Sequence, residues 1–572
     1  MEAPVVALYG LGVPSDGRGA GAFQRMIAEA NGLHRGKAQT VCTRDATMAF
    51  YPRSGHDGAP ALIDRGDFLG VVSGHIFHPE LRSESPGQLV ERLLEIGRFP
   101  EGLSECVGEF SLALLDRRTG QVSLASDCLG IRPLFYATVG DGVVFGSDVW
   151  PIFASGRIAP AVDYDGLASW IHFNYPQGTS TLFRDIHKIP PGALVRIGGG
   201  QVTAVSYVRP RPRALTRDRE LVEEIDDIVA GVCKGLTRGH SSVAVFLSGG
   251  FDSRYIACVL KRQGLECVAY TVPYESGDAE LAPVVASRLG IPLQSIPITS
   301  SLDDAYGEPL RWSPAGFPIG KFVTSLLVER FGMTGPTADG FLGDTLIRPW
   351  DPVGFSVAIS ELAGRFGSLA EGILRHQSQL DPLVVFEAPL ARRIRQRVIA
   401  QIEALLRSVD EPEECKLALW LLYNRKANWL ASNHLQNLEA TEGFHPFYSR
   451  KLIELRLSAE PSRLNLRLYR QLFERLYPEV ANVPHSGDVR NGFNAGHRWS
   501  WFHWRRLPEL AGELRSAPWA REAIRRGRVT PRLAAYLMGI YRWNYVVRYL
   551  YPVAVLMRRL RENGMEVNWK EL

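Results

Sequence analysis

Cysteine is scarce and scattered, with seven in 572 residues: Cys42, Cys106, Cys128, Cys233, Cys258, Cys267 and Cys415. No two are spaced as Cys-x-x-Cys, so neither a zinc cluster nor a disulfide framework is expected. Charge of one sign is also lacking. A net charge of +4 over the whole chain gives no electrostatic ground for a nucleic-acid partner. The Arg-rich stretch 501–561 reads as solvated helix faces. Long hydrophobic runs are missing too: the most apolar late stretch, 546–557, is short and broken by Arg548 and Pro552, so no membrane span is expected. Met1-Glu2-Ala3-Pro4 opens no basic segment followed by an apolar run, and the expectation is a cytoplasmic protein without a secretory signal. There is no internal repeat and no low-complexity segment. What is present, 45% hydrophobic against 22% charged residues, excludes a disordered chain. At this length it predicts roughly two to four domains.

The texture changes along the chain. Short apolar runs at 5–8, 68–72, 110–115, 122–125 and 143–145, flanked by Gly, Asp and Ser, predict strands buried in a sandwich. The Pro/Arg-rich segment 208–213 breaks every pattern and reads as a linker. Beyond it, runs at 243–247 and 267–272 predict parallel strands, with 254–262 and 281–289 as crossover helices. From about residue 356 the pattern is helical almost throughout.

The strongest motif is Leu247-Ser248-Gly249-Gly250-Phe251-Asp252-Ser253, after an apolar strand and before a helix. Backbone N–H groups at a helix N-terminus favour a phosphate. Gly249 and Gly250 keep side chains away from the anion and permit positive φ. Ser248 and Ser253 would add hydroxyl donors. Asp252 would repel a bare phosphate, so its presence fits a carboxylate that holds Mg²⁺.

This string resembles the pyrophosphate loop of the N-type ATP pyrophosphatases, and the wider chain, to about residue 495, resembles the asparagine synthetase family. Asp339-Gly340-Phe341-Leu342-Gly343-Asp344 resembles that family's Ser-Gly-Glu-Gly-Ser-Asp-Glu segment. The resemblance makes Asp344 the second magnesium carboxylate and places Gly340, with Val272, beside the nucleotide. Glu442-Gly443-Phe444-His445-Pro446-Phe447 resembles the segment Glu-x-Arg-x-Pro-Phe, with Phe444 where Arg is usual, and makes Glu442 a catalytic candidate. The family's late Lys is replaced around Val489-Arg490-Asn491-Gly492-Phe493, where Arg490 could stabilise departing pyrophosphate. Phe341 stands where the family has Glu, or Tyr in β-lactam synthetases, and cannot move a proton. His485 is the nearest titratable substitute in the sequence.

Resemblance to class II glutamine amidotransferases runs through His34-Arg35-Gly36, 108–113, 127–136 and the exit segment 183–192. The implied fold class is α/β: a Ntn-hydrolase-like αββα sandwich over residues 1–207, then a parallel-sheet ATP pyrophosphatase domain with a mainly helical C-terminal part over 217–572. That class needs Cys after the initiator Met, where this chain has Glu2. Its glutamine-gripping Asn-Gly-Glu appears as Ser73-Gly74-His75. Losing an amide donor and a carboxylate removes the means to hold the oxyanion and the substrate amine, so no glutaminase activity is expected.

The resemblance implies adenylation of a carboxylate by ATP with Mg²⁺, then amide formation without glutamine. Among glutaminase-free relatives, lasso-peptide macrolactam cyclases fit best, with a precursor peptide and a protease as partners. β-Lactam-type closure, an ammonia-using asparagine synthetase and a nucleotide-binding pseudoenzyme scaffold are the alternatives.

Overall fold

The computed structural model describes the chain apart from residues 1–4, 13–18, 35–36, 44–45, 53–60, 84, 214–217, 272–275, 296–310, 317, 320–327, 329–330, 334, 348–363, 366, 379–380, 436–440, 460–463, 465, 487–509, 525–528 and 530–543. Of the positions named above, Met1, Glu2, Ala3, Pro4, Arg35, Gly36, Val272 and 489–493, with Arg490 among them, lie outside the described residues.

Among the described residues, the first half is built from twelve strands, almost all antiparallel. β1 (Val5–Gly12), β2 (Gln39–Cys42), β3 (Ala46–Pro52), β8 (Phe135–Val139), β9 (Gly142–Gly146) and β10 (His187–Lys188) make one layer. β4 (Leu62–Arg65), β5 (Phe68–Gly74), β6 (Phe110–Asp116), β7 (Val122–Ser126), β11 (Ala193–Gly198) and β12 (Gln201–Ser206) make the other. A parallel pairing of Val5 with Ser73 joins them.

Strand alternation separates the faces. Leu8 of β1 and Ala113 and Leu115 of β6 meet between the layers. Ala7, Tyr9 and Leu11 turn outward to Phe23 and Met26 of α1 (Gly19–Leu33), whereas Leu112 and Leu114 turn outward to Leu89 and Leu93 of α2 (Pro86–Glu95). This is the αββα order expected. α2 starts where Ser85 accepts the Gln88 N–H and Pro86 occupies the first turn, both common N-terminal devices.

α3 (Val149–Ala154) and α4 (Tyr164–Phe173) complete the first half, and after the 208–213 segment and α5 (Asp218–Leu236) comes a five-stranded parallel sheet, in the order β15-β14-β13-β18-β19. β13 is Ser242–Phe246, β14 Glu266–Thr271, β15 Leu293–Ser295, β18 Pro336–Ala338 and β19 Glu442–Phe444; β16 (Arg311–Trp312) and β17 (Pro318–Ile319) form a separate ribbon. α6 (Phe251–Arg262) and α7 (Ser276–Leu289) are the crossovers. The chain runs outward from β13 through β14 to β15, then returns to lay β18 on the other flank of β13. The strand order therefore reverses at β13, the kind of switch point whose carboxyl edge forms a ligand crevice.

Helical segments dominate beyond residue 368. Ile394, Val398 and Ile402 of helix Ala388–Arg407, and Leu556 and Leu560 of helix Asn544–Glu562, share a core with Trp170 and Phe173 of the first half. The late helices thus bury apolar faces against the N-terminal sandwich. Among the described residues, no helix is long and apolar enough to cross a membrane.

Candidate functional site

Two loops leave the carboxyl ends of adjacent strands. β13 and β18 pair in parallel through Ala244 with Thr337 and Val245 with Ala338, so the segments that follow, 247–250 and 339–343, emerge side by side. In the first loop Gly250 caps α6 with φ −77° and ψ 171°. Neither Gly249 nor Gly250 is among the glycines with positive φ, so the loop does not use the left-handed backbone that glycine permits. The serine hydroxyls turn inward: Ser248 N–H donates to Ser253 Oγ at 3.0 Å, the two hydroxyls are 3.1 Å apart, and Gly250 N–H donates to Ser248 Oγ at 3.2 Å. They hold the shape of the loop.

The second loop packs directly on the first. A Cβ on Gly343 would fall 2.7 Å from Asp252 Oδ1, and one on Gly340 would fall 2.9 Å from Asp252 Cβ. Between them Leu342 is fully buried with φ 71°, a left-handed conformation that a bulky residue adopts only when its surroundings enforce it. Strain of this kind concentrates at functional loops.

Both expected carboxylates have partners absent from the sequence reading. Tyr469 O–H donates to Asp252 Oδ1 at 2.5 Å. Lys426 Nζ donates to both oxygens of Asp344 at 2.8 Å. Lys426 is buried midway along Leu421–Leu430, ten residues of π-helix, a form that often marks functional positions. Nothing in the sequence spacing pairs positions 82 residues apart.

Among the described residues, no group of three or more His, Cys, Asp or Glu side chains could hold a metal. Mg²⁺ does not require one, because it usually keeps waters and takes one or two carboxylates plus substrate phosphates. Asp252 and Asp344, one on each of two interlocked glycine loops, fit that manner of binding.

Arg254, two residues after Asp252, ties in a third segment. It is fully buried, donates to the carbonyls of Val483 at 2.6 Å and Pro484 at 2.7 Å, and stacks over the Phe251 ring at 4.8 Å. Ser486 N–H in turn donates to Gly249 O at 3.1 Å. His485 is thereby held beside the Phe251 ring, with 4.8 Å between centroids. The imidazole against Phe341 is a different one, His445, at 4.9 Å. That corrects the sequence-based choice of His485 as substitute.

His445 follows β19 and joins the two halves. Its Nδ1 lies 3.0 Å from Asp339 Oδ1 and its Nε2 3.3 Å from Glu109 Oε1. Burial alone would lower its pKa, but the carboxylates of Glu109 and Asp339 outweigh burial and hold it up at about 9. Because that lies above the ordinary 6.5, the stabilisation is complete below pH 6.5 and lost as pH rises through about 9. We expect urea unfolding at pH 7 and pH 10 to show up to roughly 3 kcal/mol less stability at pH 10 from this group. The same decrement in His445→Gln would refute the assignment.

Glu442, on β19, is buried and directed at the domain interface, 3.6 Å from His75 Nδ1 and 3.4 Å from His240 Nε2.

Two protein families match the chain in succession. Residues 78–208 match the glutamine amidotransferase domain family and residues 224–307 match the asparagine synthase family. Asparagine synthetase [glutamine-hydrolyzing] 1 of Bacillus subtilis is 27% identical over 250 residues, covering 41% of this chain and 39% of that protein. A putative asparagine synthetase [glutamine-hydrolyzing] of Mycobacterium bovis is 28% identical over 214 residues, covering 36% and 33%. The chain thus spans well under half the length of these relatives. Among solved structures, a glutamine phosphoribosylpyrophosphate amidotransferase from B. subtilis overlaps with a TM-score of 0.26 at 12% identity, over 58% of this chain and 74% of that one, too loosely to argue from. With the amidotransferase match followed by the synthase match in one chain, and the first glycine loop inside the synthase match, the chain is similar in both parts to the asparagine synthetase family.

Proposed function

We propose that this protein is an ATP-dependent carboxylate–amine ligase that forms AMP and pyrophosphate and draws no ammonia from glutamine. The observation that carries the reading is the convergence of the 247–253 and 339–344 loops, with Gly340 and Gly343 in contact with Asp252. A substrate carboxylate oxygen attacks the α-phosphorus of ATP, the bond from that phosphorus to the β-bridging oxygen breaks, and pyrophosphate leaves. The amine nitrogen then attacks the acyl carbon, AMP leaves, and the nitrogen gives up its proton. The N-terminus of α6 directs N–H groups at phosphate oxygens, and Lys426 balances charge at Asp344. Mg²⁺, held by Asp252 and Asp344, would supply charge neutralisation for the departing pyrophosphate.

The relatives named above hydrolyse glutamine; this chain departs from them at Ser73-Gly74-His75. His75 lies 3.6 Å from Glu442, within the interface between the halves. A clamp for a free amino acid is replaced by a contact within the protein. Within the ligase class, this supports a substrate that brings its own amine, as in peptide macrolactam closure, with a precursor peptide as the substrate. We expect no glutamate release from glutamine, with or without ATP, and AMP with pyrophosphate as stoichiometric products once the true carboxylate is supplied. Glutamine turnover at amidotransferase rates would overturn the first half of the reading; ADP and phosphate would overturn the second.

A further inference from the structure

The N-terminal half contributes a carboxylate to the loop that carries Asp344. Glu109, immediately before β6, is only 6% exposed. Its Oε1 faces His445 Nε2 at 3.3 Å, and the other nitrogen of that ring faces Asp339 Oδ1 at 3.0 Å. The same Asp339 oxygen accepts the Phe341 N–H at 3.0 Å. The residues that follow are Gly340 and Gly343, pressed against Asp252, and Leu342 with its φ of 71°.

A left-handed leucine persists only where its neighbours over-determine it. The 339–344 loop is braced from the C-terminal half by Lys426 on Asp344, and from the N-terminal half through Glu109, His445 and Asp339. Without Glu109 the ring would face one carboxylate rather than two. Its loss would also leave Arg132, whose three guanidinium nitrogens have no hydrogen-bond partner among the described residues, with less countercharge. The ring and Asp339 would then be free to shift together, and the loop with them.

We propose that Glu109 is a positioning residue for the nucleotide site, fixing the 339–344 loop through His445, so that the amidotransferase-like domain takes part in ATP binding without handling glutamine. This rests on the reading of Asp252 and Asp344 as the nucleotide site. The role is distinct from mere support of the fold. Positioning sets how tightly each folded molecule binds nucleotide, whereas support of the fold sets how many molecules are folded.

The test is titration calorimetry of the full chain with Mg²⁺ and α,β-methylene-ATP, which cannot be cleaved at the bond in question. Glu109→Gln should raise Kd about tenfold with unchanged stoichiometry. Glu109→Asp, which keeps the charge but withdraws it by one methylene, should fall between, at about threefold. If Glu109→Gln does not fold, Glu109→Asp carries the same prediction at its smaller size. Parental Kd in the Gln variant, or a loss confined to stoichiometry, overturns the proposal. Where Asp344→Asn weakens binding and Glu109→Gln does not, this proposal alone fails. Absence of binding by the parental chain overturns it together with the nucleotide site.

Discussion

Asp252→Asn and Asp344→Asn are each expected to lower substrate-dependent pyrophosphate release by about a hundredfold or more, since fixed charge at developing phosphate charge is typically worth ~3 kcal/mol or more. The amide keeps the shape of each side chain and removes only its charge. Combining the two should cost little beyond either one, because both would act through one ion and its phosphates. Their effects on stability should differ. Asp252 accepts from the neutral Tyr469 hydroxyl, and Asn at that position can still accept. Asp344 is bonded through both oxygens to the buried Lys426 ammonium, and removing its charge leaves a cation facing an amide. Breaking one side of a buried pair costs about 3–5 kcal/mol, somewhat less here because Asp344 is 31% exposed. Asp344→Asn should therefore melt early, while the double variant with Lys426→Met should regain stability and stay inactive. Near-parental rates in either folded single variant would show that its carboxylate is no part of the reaction.

What could be read from sequence was what short-range chemistry decides. The strand–loop–helix around Asp252 was legible because an apolar run, two glycines and a helix start lie within about a dozen residues, and β13 and α6 form there. The four-layer sandwich was legible only in outline. Alternation in β1 and β6 shows that both faces are covered, but not that helices from residues 388–407 and 544–562 help to cover one of them. The partners of the candidate site were not legible. Lys426, Tyr469, His445 and Glu109 reach it through tertiary contact alone, from 82, 217, 106 and, across the halves, 336 positions away from the groups they meet. Backbone conformation was not legible for a related reason. Glycine at 249 and 250 permits positive φ without requiring it, and the left-handed residue of the two loops is Leu342, which no propensity would choose and which only packing can enforce.

Gly343→Ala is expected to act almost as strongly as loss of a carboxylate, although it adds a single methyl group and removes no charge. The new Cβ would lie 2.7 Å from Asp252 Oδ1 and 2.7 Å from Phe447 Cε2, closer than real Cβ atoms come to their neighbours. Phe447 is fully buried and cannot give way readily, so the Asp252 carboxylate or the loop must move. Either movement separates Asp252 from Asp344, which follows Gly343 directly. A displacement of about 1 Å at a reacting group can cost on the order of a hundredfold in rate. Overpacking costs typically 1–3 kcal/mol of stability, which leaves a folded protein whose rate can be measured. Gly335→Ala is the matched control: it stands just before β18, at the opposite end from the loop, and an added Cβ there meets nothing within 4 Å. Pyrophosphate release and Mg²⁺-dependent nucleotide affinity should both collapse in Gly343→Ala and stay parental in Gly335→Ala. Parental affinity in Gly343→Ala would mean that Asp252 can leave its place without consequence, and the packing of the two loops would then have no bearing on the nucleotide.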